Sequence, residues 1–153
     1  SWRKFANVEI WLFQGGETMK PVLVDTDILS MFFRNNLKVV SHIEKYLAEY
    51  QKINLSIITY YEILSGLKHK NALKQLDLFL EFVKHNTIVP LTEESVIISS
   101  DLYASLRKSG TPIDDIDILI AGIALSNNLI FVTNNVEHFK KIEGLEMLNW
   151  SLG

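Results

Sequence analysis

The chain has 153 residues, enough for one domain that buries roughly 68–70% of its unfolded surface, and 48% hydrophobic with 22% charged residues is globular rather than disordered or fibrous composition. It contains no cysteine, which excludes disulfides and thiolate–metal sites and fits a cytoplasmic protein. A formal net charge of -3 gives no global attraction for a polyanion, so contact with nucleic acid would need local basic patches or a bound metal.

In chain order, residues 1–18 stand apart. Trp2 and Trp11 sit among mixed charges and Gly15-Gly16 follows, without the apolar core and small-residue cleavage site of a secretory signal. They read as an upstream extension or an expression remnant ahead of a domain over 19–153 that opens at Met19. The alternation of Val8, Ile10 and Leu12 leaves a short added strand open.

Val22-Leu23-Val24 is a short buried strand that stops on Asp25-Thr26-Asp27, and Ile28, Leu29, Met31 and Phe32 then start a helix. A helical stripe through Ile43, Tyr46, Leu47 and Tyr50 precedes a second strand over Ile53–Ile58. Thr59-Tyr60-Tyr61-Glu62 opens a helix ending near Gly66, and Ala72 to Val83 carries another helical stripe. Thr87–Pro90 is a strand, Thr92 caps a helix that stops before Gly110-Thr111-Pro112, and Asp114-Asp115-Ile116-Asp117 opens an apolar helix to Ser126. Leu129–Thr133 is a strand, Val136–Ile142 a short helix, and Glu146–Trp150 an edge strand. No apolar run approaches the roughly 18–20 residues of a membrane span. Strands alternating with helices predict an α/β domain, three layers deep in α/β/α order, around a mainly parallel sheet.

Several carboxylates fall where such sheets bind ligands, at the carboxyl edge of the strands. Each also has a plainer explanation. Asp25 can cap the helix that follows it, although Asp27 is the better candidate for that cap. Glu62 completes a capping-box pattern with Thr59, yet its helix starts right after a strand and faces the same edge as Asp25. Asp114, Asp115 and Asp117 can serve the helix dipole, but one acid would suffice. A pair of unit charges about 4 Å apart repels by roughly 1 kcal/mol in water and about 4 at an effective dielectric of 20, so uncompensated crowding suggests a divalent cation. Asn134 and Asn135 suit a turn, and an amide oxygen can also serve a hard cation. His42, His69, His85 and His138 share no metal-ligand spacing and read as non-catalytic.

Taken together, Val22–Asp27, Thr59–Gly66, Asp117-Ile118-Leu119-Ile120-Ala121 and Val132-Thr133-Asn134-Asn135 resemble the four signature segments of PIN-domain nucleases. Phe139–Trp150 further resembles the VapC-like toxin branch, and the resemblance spans residues 19–152. It implies a Mg2+- or Mn2+-dependent endoribonuclease with Asp25, Glu62 and Asp117 as its acids. Asn135 stands at the fourth position, where an aspartate is frequent, and Asp115 is offered as partial compensation for metal binding. Thr133, with Thr26, would support the site. The resemblance also implies an RNA substrate, a cognate antitoxin and a homodimer; Lys68, Lys70, Lys74, Arg107, Lys108, Lys140 and Lys141 are open as phosphate contacts.

The chemistry suits the acids, because oxygen-ligated divalent cations promote phosphodiester hydrolysis without a side-chain nucleophile. Two rivals remain from sequence alone. A phosphatase of the haloacid-dehalogenase type would use Asp25 as nucleophile and Asp27 as acid, but leaves Glu62 unexplained. A catalytically weak binding module on the same fold is motivated by Asn135.

Overall fold

The structure, a computed structural model, describes residues 20–152; the expected start at Met19 and the short strand considered over Val8, Ile10 and Leu12 lie outside them. The elements run β1 (Val22–Val24), α1 (Thr26–Phe33), α2 (Leu37–Tyr50), β2 (Asn54–Ser56), α3 (Ile57–His69), α4 (Leu73–Lys84), β3 (Thr87–Val89), α5 (Glu93–Lys108), α6 (Asp115–Ser126), β4 (Ile130–Val132), α7 (Val136–Phe139) and β5 (Met147–Leu148). The strands form one sheet in the order β3-β2-β1-β4-β5, every neighbouring pair parallel.

The alternation of side chains along β1 divides the core in two. Val22 and Val24 face a cluster with Ile28, Leu29, Ile43, Phe79 and Phe82, supplied by α1, α2 and α4. Leu23 faces the opposite cluster, with Ile118, Ile120, Ile123 and Phe139 from α6 and α7. A central strand buried on both faces is thus covered by helices on both sides, the three-layer arrangement expected of a run of apolar strands. Trp150 closes the first cluster, tilted against Tyr46 and stacked on His42 with 5.7 Å between ring centroids.

Two local expectations are corrected. The β-branched pair Ile57-Ile58 reads as strand, but β2 ends at Ser56, whose hydroxyl accepts from Thr59 N at 3.0 Å and caps α3 at once. Glu62 is therefore well inside α3 and is no capping-box residue, because the cap lies three residues earlier than Thr59. Asp25, not Asp27, is the N-cap of α1: its Oδ1 accepts from Thr26 N at 2.8 Å. Thr92 caps α5 as expected, in a box completed by Ser95.

One helix contact is tighter than sequence suggests. Ser99 of α5 donates to Ile118 O of α6 at 2.9 Å, and a Cβ on Gly122 would stand 1.9 Å from Ser99 Oγ. Only a glycine lets α5 and α6 approach this closely, and α6 carries Asp117.

Candidate active site

The strand order puts the topological switch between β1 and β4, since the chain builds outward from β1 through β2 to β3 and returns on the other side with β4 and β5. Crevices at such switch points, beyond the strands' carboxyl ends, are where open α/β sheets bind ligands. Asp25 follows β1 there and Thr133 follows β4, joined across the gap by Asp25 N donating to Val132 O at 2.9 Å.

The first acid is nearly enclosed. Asp25 is 9% exposed, its Oδ1 held by Thr26 N and its Oδ2 by Thr133 Oγ1 at 2.9 Å. Thr133 Oγ1 in turn accepts from Asn135 N at 3.0 Å, so the turn after β4 is tied to the carboxylate after β1. Burial pushes the Asp25 carboxyl up to about 7, neighbouring Asp27 pushes the same way, and the Thr133 and Thr26 hydrogen bonds pull back. Asp27, half-buried, accepts from Ile28 N at 2.7 Å and Asn134 N at 3.0 Å, and burial raises its carboxyl too.

On the other flank, Thr26 Oγ1 donates to Glu62 Oε1 at 2.7 Å and lies 3.0 Å from Thr59 Oγ1. Glu62 is exposed, yet its negative charge reaches Asp25. Asp25, Asp27, Thr26, Glu62 and Thr133 thus form one connected group. Asp117, in the first turn of α6, has no hydrogen bond to that group among the described residues; its Oδ2 lies 2.9 Å from Nε2 of His138 on α7, a helix reached directly from Asn135. Asp115 is exposed in the first turn of α6, and the exposed Asn135 makes no side-chain cap for α7. The Asn134 side chain is occupied, its Oδ1 accepting from Asn149 Nδ2 at 3.1 Å and Ser151 Oγ at 2.8 Å.

Sequence reasoning missed two participants. Asp27 sits in the acidic group rather than acting as the cap, because a helix starting one residue after the strand turns its first side chains back into the crevice. His138, set aside for lack of metal-ligand spacing, contacts an acid 21 residues away that no local pattern pairs with it.

A hard divalent cation fits the donor chemistry. The donors are all oxygens, and among the described residues no lysine or arginine forms an ion pair with Asp25, Asp27, Glu62 or Asp117. Burial is the main cause that raises the Asp25 and Asp27 carboxyls, and for Asp25 the neighbouring Asp27 and Glu62 charges push the same way. Among the described residues no three acid or histidine side chains are already drawn into a closed cage. Magnesium does not require one, being bound through one or two carboxylates with water and substrate phosphate completing its shell.

Fold and site together define an α/β protein with an acidic ligand crevice at its switch point. The PIN domain family model matches residues 22–145, and the chain belongs to that family. It is 32% identical over 122 residues to Ribonuclease VapC1 of Methanocaldococcus jannaschii, covering 80% of this chain and 81% of that protein. It is 28% identical over 134 residues to the tRNA(fMet)-specific endonuclease VapC of Shigella flexneri, covering 87% and 100%. Among solved structures, it is similar to DNA-bound VapBC from Salmonella typhimurium, with a TM-score of 0.75 and 25% identity over 86% of this chain and 99% of that one. VapBC2 from Rickettsia felis, bound to a fragment of its promoter, gives 0.73 and 26% over 84% and 98%.

Proposed function

We propose that the chain is an endoribonuclease that hydrolyses RNA phosphodiester bonds with the help of Mg2+ or Mn2+, and that it is the toxin of a toxin–antitoxin pair. The observation that carries this reading is the buried Asp25 at the sheet's switch point, flanked by Asp27 and Glu62 and with no basic partner among the described residues. The relatives' names support the nuclease class, and the VapBC complexes support an antitoxin partner. A cytoplasmic homodimer acting on RNA completes the proposal; among the described residues no helix is long and apolar enough to cross a membrane.

Asp25, Asp117, Asn135 and Asp115 would hold the cation, directly or through water. When bound, the cation supplies positive charge for the phosphate and leaving oxygens and activates water for attack. The chain's own part is to fix the acids before substrate arrives. Thr133 and the Thr26 amide orient Asp25, Thr26 Oγ1 aims Glu62, and the turn at Asn134 holds Asp27. Glu62, exposed and held at Oε1, makes no Oε2 hydrogen bond among the described residues, and that oxygen would accept a proton from water at the scissile phosphate. The phosphatase alternative leaves Glu62 without a role, whereas Thr26 Oγ1 ties it to the Asp25 group at 2.7 Å.

The test is cleavage of a defined RNA by purified protein with Mn2+, Mg2+ or EDTA, beside Asp25→Asn and Asp117→Asn. Metal-dependent cleavage by the wild type alone is the expected result. Equal cleavage by all three proteins would assign the activity to a contaminant or another site. A folded wild type that cleaves nothing while binding an antitoxin would favour the binding module that Asn135 suggests.

A further inference from the structure

Each acid of the group beside β1 has a hydrogen-bond donor that fixes it. Asp25 has Thr26 N and Thr133 Oγ1, Asp27 has Ile28 N and Asn134 N, and Glu62 has Thr26 Oγ1. Asp117 sits in the first turn of α6, away from that group, and its partner is the His138 ring at 2.9 Å. We propose that His138 is a positioning residue: by donating from Nε2 to Asp117 Oδ2, it aims the other carboxylate oxygen into the crevice. This rests on the metal-dependent reading above.

The histidine is built to hold one orientation. Its backbone N donates to Asn135 O at 3.1 Å, and its ring stands edge-to-face on Phe139, 5.2 Å between centroids at 87°. Phe139 is itself buried edge-to-face on Phe131 of β4, at 4.8 Å. With side-chain exposures of 28% and 29%, His138 and Asp117 are shielded enough for their bond to compete with water. The arrangement also couples the two halves of the site. The segment from Thr133 to His138 fixes Asp25 through a hydroxyl at one end and Asp117 through an imidazole at the other. Hydrogen-bonded partners of ligating carboxylates set their orientation, and losing one typically weakens metal binding roughly 10–100-fold.

The test is Mn2+ titration calorimetry on the full chain without RNA, comparing wild type, His138→Leu, His138→Gln and Asp117→Asn, with urea unfolding in EDTA alongside. Leucine keeps the contact with Phe139 but donates nothing, whereas glutamine can donate from nearly the same point. Expected is Mn2+ binding weakened roughly 10–100-fold in His138→Leu and restored close to wild type in His138→Gln, with unfolding midpoints alike. Two results overturn the proposal while leaving the metal reading intact: wild-type affinity in His138→Leu when Asp117→Asn loses binding, or equal weakening in His138→Leu and His138→Gln. If the wild type itself binds no Mn2+, the metal reading fails and takes the positioning role with it.

Discussion

Asp25 should cost the protein stability in exchange for function, and the cost can be read from its surroundings. Raising a buried carboxyl from its ordinary 3.8 to about 7 corresponds to roughly 4 kcal/mol between its two protonation states, at about 1.36 kcal/mol per pH unit. Because the folded state holds the proton more tightly than the unfolded chain, that stabilisation is present in full below about pH 4. It is lost as pH rises through about 7. Asp27 shifts in the same direction and steepens the slope. Asp25→Asn removes the titration while keeping an oxygen for Thr26 N, and Thr133 Oγ1 can turn to accept from the new amide. Allowing about 1 kcal/mol for the disturbed hydrogen bonds, the variant should be roughly 2–3 kcal/mol more stable than wild type near pH 8 without metal, and no more stable near pH 4. Urea unfolding in EDTA across that range measures it. Added Mn2+ should then raise the wild-type midpoint and leave Asp25→Asn unmoved, since a ligand stabilises only the state that binds it. A wild-type midpoint flat from about pH 5 to 8, or a variant no more stable than wild type near pH 8, would refute the claim that the site buries uncompensated charge.

Glu62→Gln should keep its bond from Thr26 yet lose RNA cleavage by roughly 100-fold or more, the usual size of a general-base contribution; an unchanged single-turnover rate would remove Glu62 from the chemistry. Gly122→Ala should destabilise by about 1–3 kcal/mol or more, because its Cβ would stand 2.6 Å from Ser95 O as well as against Ser99, and a wild-type melting curve would contradict the close approach of α5 and α6. Ser56→Ala should cost about 1 kcal/mol by uncapping α3. An unchanged urea midpoint in that variant would refute Ser56 as the cap.

Much of this arrangement was legible in the residues themselves. The apolar triplet Val22–Val24 ending on an acid, the return to helical spacing after it, and the same pattern before Thr133-Asn134 give a parallel α/β sheet with polar residues at its carboxyl edge. Period and burial suffice for that, because a strand covered on both faces must be apolar throughout and must stop where solvent begins. Less legible were the boundaries between elements. Ile57 and Ile58 have strand propensity, and only the immediate capping by Ser56 and the packing of α3 make them helical.

The sequence by itself determined the fold class, the position of Asp25 at a strand end and that of Asp115 and Asp117 at a helix start, since these follow from spacing along the chain. Tertiary structure alone decided their roles. Asp25 became the cap and Asp27 its neighbour in the crevice; Glu62 left the cap and came under Thr26; His138 met Asp117; and Gly122 became the point where α5 and α6 touch. The Asp25 cap is a bond to the next residue, but the contacts of Thr26 with Glu62, His138 with Asp117 and Gly122 with Ser99 join residues distant in the chain, and no local period encodes which side chains tertiary packing will bring within reach.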